Sequence, residues 1–174
     1  MEDLYLQTFL HGLHLEKFIT KITLIFSEWN MNDWYRNLIS DEWSDIVVPW
    51  YCILLQQYVP NCSGLVDWLQ NSGGEHFIHG DFTLSNIYLD REGNVKVLDY
   101  ENATLGPLLW DETTLVYSFI EEKQFPAARR IYDYFSCNKE MLQIISNIRL
   151  AQSIRKNQNI SQRRETHEYV LQNY

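Results

Sequence analysis

Apolar residues recur at steps of three and four over Phe18, Ile19, Ile22, Ile25, Phe26 and Trp29, the spacing that lines one face of an α-helix. A second helical stretch is predicted from about Asp41 to Tyr58, bent or restarted at Pro49, which has no amide hydrogen to donate inside a helix. A shorter one, Gly64 to Gln70, has Ser63 or Asn61 as its predicted cap. The run Asn71-Ser72-Gly73-Gly74 then breaks the periodicity.

At Phe77 the pattern changes. Ile87-Tyr88-Leu89 and Val95-Lys96-Val97-Leu98 are short, partly β-branched runs separated by a loop containing Gly93, and they read as a β-hairpin. After Pro107 the helical pattern returns over Asp111–Glu122, Pro126–Phe135 and Lys139–Ile154, with Asn138 as cap of the third and a last helix from Ser161. The chain therefore reads as one α+β domain over residues 1–174, mainly helical. Residues 1–76 are helical, 77–106 hold a loop and hairpin, and 107–174 are helical again.

The candidate chemistry sits in the non-helical part. His79-Gly80-Asp81-Phe82-Thr83-Leu84-Ser85-Asn86 leads into the first hairpin strand, and the returning strand runs into Asp99. A turn centred on the Glu92–Gly93 bond would pair residues whose numbers sum to 185 and place Asn86 opposite Asp99. Their Cβ atoms would then lie about 4.5–5.5 Å apart. Two such oxygen-bearing side chains suit Mg2+, which takes one or two protein oxygens and completes its shell with water and phosphate. Asp81, at the mouth of the hairpin, is placed to orient an attacking hydroxyl, and phosphoryl transfer needs little more than such positioning and charge neutralisation.

These residues resemble the catalytic segment of the aminoglycoside phosphotransferases and their choline kinase relatives. The match is His-Gly-Asp, an Asn five residues after the Asp, and an Asp after the next strand. The resemblance implies a protein-kinase-like C-terminal lobe with Asp81 as catalytic Asp. Asn86 and Asp99 would be the metal and cofactor-binding residues, with Mg2+ and ATP or GTP as cofactors. Tyr100 to Pro107 and Asp111 look like the family's continuation, ending in a structural Asp. His79 would brace the loop.

A complete member also has a nucleotide lobe with a Gly-rich loop and a strand lysine. Gly12 is the only glycine before Gly64, and Lys17 and Lys21 fall in a helical pattern. The expectation is a lobe inactive by itself, covered by a partner chain or by a second copy. Two other readings stay open: a truncated relative that binds a ligand or partner without turnover, and a metal-dependent hydrolase using His79, Asp81 and Asp99. The latter lacks the clustered histidines that such sites recruit.

Charge narrows the partners. The net charge is −9, divided into −14 over residues 1–122 and +5 over 123–174. An acidic body disfavours nucleic acid, and its field favours a cationic small-molecule acceptor. Arg163-Arg164 reads as a solvated helix face. The three cysteines, Cys52, Cys62 and Cys137, suggest neither a disulfide framework nor a zinc site. With the acidic start Met1-Glu2-Asp3 and no bilayer-length apolar run, the expectation is a cytoplasmic protein without membrane attachment.

Overall fold

The computed structural model describes residues 13–31, 39, 43–90 and 92–174. Met1-Glu2-Asp3, Gly12 and the first two residues of the predicted second helix lie outside them. The elements are α1 (Leu13–Met31), a π-helical turn Trp43–Val47 leading into α2 (Val48–Tyr58), α3 (Ser63–Asn71) and β1 (His76–Ile78). The hairpin β2 (Ile87–Leu89) and β3 (Val95–Val97) follows, then β4 (Thr104–Gly106). Four helices complete the chain: α4 (Trp110–Glu121), α5 (Phe125–Phe135), α6 (Lys139–Lys156) and α7 (Ile160–Asn173). The arrangement is the expected α+β one, mainly helical, with an embedded hairpin.

Pro49 restarts the second helix as predicted, standing in its first turn after the π-helical residues, where its missing amide hydrogen costs no helical bond. Asn138 caps α6, its side-chain oxygen accepting from the Met141 amide at 3.0 Å. The predicted cap of α3 is absent. Cys62 occupies that position, with no side-chain capping bond.

One contiguous core joins α1 to the C-terminal helices. The α1 stripe is buried at Phe18, Ile19, Ile22, Phe26 and Trp29. Phe18 meets Phe119 of α4 edge-on at 6.0 Å, and Phe26 meets Phe135 of α5 at 5.8 Å. Helix α6 packs against α2, α4 and α7 and buries Leu142, Ile144, Ile145, Ile148 and Ala151. These helices form the frame from which the hairpin and its preceding loop are held.

Two small antiparallel pairs carry that loop. β1 pairs with β4, with Ile78 opposite Thr104, and β2 pairs with β3, with Ile87 opposite Val97 and Leu89 opposite Val95. The hairpin register therefore sums to 184, and the predicted opposition of Asn86 and Asp99 does not form. Instead Asn86 faces Leu98, whose amide donates to the Asn86 carbonyl at 2.9 Å. The cause is the turn. The Asp90 carboxylate accepts from the amides of Glu92 and Asn94 at 3.0 and 2.7 Å, and Gly93 takes φ +76°. That is a three-residue loop closed by a left-handed glycine, which moves the pairing by one residue relative to a symmetric turn.

Candidate functional site

His79 leaves β1 fully buried. Its ring lies 4.8 Å from that of Tyr100 and 5.8 Å from that of Phe82, and stacks over Trp29 of α1 at 6.3 Å. Nε2 lies 2.7 Å from the Leu98 carbonyl, and Nδ1 accepts from the Asp81 amide at 3.3 Å. That network assigns the neutral tautomer with its proton on Nε2. Burial pulls the His79 pKa down, outweighing the bond to Leu98 and the charges of Asp81 and Asp99, which raise it. The ring is a neutral strut between the loop and the end of β3, as its bracing role requires.

Asp111, in the first turn of α4, holds the loop from the other side. Its carboxylate accepts from the His79 amide at 2.5 Å and from the Gly80 amide at 3.1 Å. Burial pushes this carboxyl up to about 8, against the two amide bonds, which favour the ionised form. Gly80 must be glycine on two grounds. Its φ is +80°, and a Cβ there would lie 2.2 Å from the Asn102 carbonyl oxygen. Further along, Ser118 of α4 accepts the Leu84 amide at 3.1 Å, and Phe82 is fully buried against Phe26 at 5.0 Å.

So suspended, the loop presents Asp81, half-buried, beside Asn86. The Asn86 side-chain amide donates to the Asp81 carbonyl at 2.8 Å and to Asp81 Oδ2 at 3.3 Å. The other carboxylate oxygen, Oδ1, is ion-paired with Nη2 of Arg149, on α6. Burial works against the Arg149 charge, yet the neighbouring Asp81 carboxylate raises its pKa beyond the usual value. Tyr51 lies on α2, which packs against α6. Burial raises its phenol, which also feels Arg149 and Asp81, and its ring stacks with Trp110 at 6.0 Å.

Asp99 is exposed and sits in the left-handed region at φ +64°, a conformation that aspartate adopts more readily than most residues. This residue ends strand geometry before the helical turn Tyr100–Asn102. It directly follows Leu98, whose carbonyl lies 2.7 Å from His79 Nε2, so its backbone adjoins the point where the loop holds β3 although the predicted register is absent. With its nitrogen turned toward Asp81, Asn86 keeps its side-chain oxygen for another partner. That oxygen and the Asp99 carboxylate are the hard donors that a small divalent cation takes. No cluster of three or more His, Cys, Asp or Glu suited to a metal occurs among the described residues.

Sequence reasoning missed Arg149, which reaches the site from a helix far along the chain without a local motif. It also misjudged Arg163. The guanidinium is ion-paired with Glu121 and donates to the Tyr117 hydroxyl at 3.4 Å, while Arg164 is exposed as predicted. A cleft of about 700 Å³ lies at the other end of the β1–β4 pair, lined by Trp68, Glu75, His76 and Leu108 among others. None of Asp81, Asn86 or Asp99 lines it. No helix among the described residues is long and apolar enough to cross a membrane.

Neither curated proteins nor solved structures yield a match to the chain. The phosphotransferase enzyme family matches residues 8–142, which include the suspended loop, the hairpin, Asp99 and Asp111. The chain belongs to that family.

Proposed function

We propose that the chain is the catalytic lobe of an ATP-dependent phosphotransferase that moves the γ-phosphoryl group to a hydroxyl of a small molecule. Asp81 orients that hydroxyl and accepts its proton; Asn86 and Asp99 are the Mg2+ ligands. The observation that carries the reading is the suspension of Asp81. Asp111, His79 and Gly80 lock the backbone that leads into it, and its carboxylate is fixed next to the Asn86 amide. Phosphoryl transfer depends on this kind of fixed placement.

Mg2+, when bound, neutralises charge on the transferring phosphates. The protein's own groups do the rest: the loop aims one carboxylate at the acceptor, and the neutral His79 keeps the end of β3 against it. The acidic body favours a cationic acceptor through its field. The reading also expects a nucleotide lobe or partner chain over the hairpin, where Tyr88 and Leu98 are 48% and 55% exposed.

The test is transfer from Mg-ATP to a panel of amino-alcohol, aminoglycoside and sugar hydroxyls, followed by 31P NMR, with light scattering to report association. Asp81→Asn should lower turnover roughly a hundredfold or more with folding intact, as for loss of a general base. Near-normal turnover in that variant would remove Asp81 from the mechanism. A chain that associates and binds nucleotide but transfers nothing would favour the non-catalytic binding module. That second reading draws on one observation: among the described residues no strand precedes β1, so no phosphate-covering sheet is seen.

A further inference from the structure

Two hard-oxygen side chains meet below the hairpin, where Asn86 Nδ2 lies 3.3 Å from Asp81 Oδ2. Asp99 directly follows Leu98, whose amide donates to the Asn86 carbonyl at 2.9 Å, so a third such side chain starts from the same end of the hairpin. A divalent cation held by Asn86 and Asp99 would attract any unpaired carboxylate within reach, because such ions gain from each added oxygen ligand. An Asp81 bound to the metal could no longer serve the acceptor hydroxyl. The mechanism above therefore needs something that holds Asp81 apart.

Arg149 is placed to do it. We propose that Arg149 is a positioning residue that reserves Asp81 for the acceptor by holding its carboxylate off the metal ion. This inference rests on the metal role given to Asn86 and Asp99.

Several features support it. Arg149 binds Oδ1, the oxygen that Asn86 leaves open, so each carboxylate oxygen has its own partner. The two side chains are only 19% and 29% exposed, and solvent does little to screen the pair. Arg149 belongs to the long helix α6, which packs on α2, α4 and α7. Its anchor therefore does not move with the loop or the hairpin. Tyr51, stacked with Trp110, lies on α2, which packs against α6. A guanidinium is also the cation suited to the task. It stays charged when buried and offers several fixed donors, whereas a lysine ammonium is a mobile point charge.

The experiment uses the purified 174-residue chain with Mn2+ as a spectroscopic substitute for Mg2+. Free Mn2+ is counted by EPR, and inner-sphere water by proton relaxation. In Arg149→Met the freed Asp81 joins the ion. Mn2+ should then bind about tenfold more tightly, the scale on which groups behind the direct ligands tune metal affinity. The ion should also carry one water fewer than in the wild-type protein. Adding Asp81→Asn to that variant should return the water count to the wild-type value. Arg149→Lys should fall between the two, and it stands in for the methionine variant should that one unfold by circular dichroism.

Tighter binding with an unchanged water count would mean that Arg149 acts by charge alone and would overturn the proposal, as would unchanged or weaker binding. If neither the wild-type chain nor the variants bind Mn2+, the metal role of Asn86 and Asp99 fails first and this inference falls with it. Near-normal transfer in Asp81→Asn alongside normal Mn2+ binding would remove Asp81 from the mechanism and leave the metal reading standing, so the two failures are separable.

Discussion

Asp111 offers the sharpest test of how the loop is held. Replacing it with alanine leaves the His79 and Gly80 amides without their acceptor, in a place where Asp111 itself is 2% exposed. A buried donor left unsatisfied costs about 1–3 kcal/mol. Asp111→Ala should therefore cost about 2–6 kcal/mol, a large share of the roughly 5–15 kcal/mol that holds an ordinary domain together. Asp111→Asn keeps one oxygen acceptor but turns an NH2 group on the second amide, so it should cost about 1–3 kcal/mol. Urea unfolding followed by tryptophan fluorescence measures both. An Asp111→Ala variant within about 0.5 kcal/mol of wild type, the range of an ordinary surface change, would refute this account of the loop.

The same residue predicts a pH dependence. Burial raises its folded-state pKa from 3.8 to about 8. Between those values the folded protein binds a proton that the unfolded chain has released. By linkage, this contribution to stability is fully present below the unfolded pKa and is lost as the pH rises through about 8. The difference in unfolding free energy between wild type and Asp111→Asn, which cannot titrate, should accordingly shrink from pH 6 to pH 9. A difference that is flat or grows over that window would show the two amide bonds overriding burial, with the carboxylate ionised throughout.

Two further substitutions test backbone conformations. Gly80→Ala combines a left-handed φ of +80° with a Cβ placed 2.2 Å from the Asn102 carbonyl oxygen; thermal unfolding should show a loss above the roughly 1–2 kcal/mol of left-handed strain alone, and a smaller loss would mean that the loop shifts freely. Asp99→Gly should hold or raise the melting temperature, since relief of about 1 kcal/mol of strain at φ +64° offsets the extra freedom of glycine in the unfolded chain, about 0.4–1 kcal/mol. Mn2+ binding should be lost at the same time, and a variant clearly less stable than wild type would make the Asp99 carboxylate a structural brace.

What could be read from the sequence was what local spacing encodes. The α1 stripe, the restart at Pro49 and the Asn138 cap each depend on residues within a turn or two of one another, and each stands where it was predicted. The loop from His79 to Asn86 was legible for the same reason. The hairpin register failed by one residue because a symmetric turn was assumed, although Asp90 and Gly93 carry the signal of the asymmetric loop that forms. β1 and β4 are three-residue strands, too short to show alternation against a neighbouring helical pattern. Arg149 was beyond any local argument. It stands 68 positions from Asp81, and only the packing of α6 on α2 and α4 brings it there.

Those successes and failures have one physical origin. The motif residues form bonds among themselves and to the backbone next to them, and their order along the chain is enough to suggest the chemistry. Their placement depends on other elements: α4 supplies Asp111 and Ser118 to the loop amides, α1 supplies the aromatic floor under His79 and Phe82, and α6 supplies Arg149 to the Asp81 carboxylate. Asp111 apart, each support comes from a helix whose sequence reads as ordinary amphipathic packing. An enzyme that works chiefly by positioning puts its reactive groups in a short segment and the stiffness behind them in a distributed frame. A substitution in the frame at Arg149 should therefore disturb the placement of Asp81 while leaving every motif residue in place.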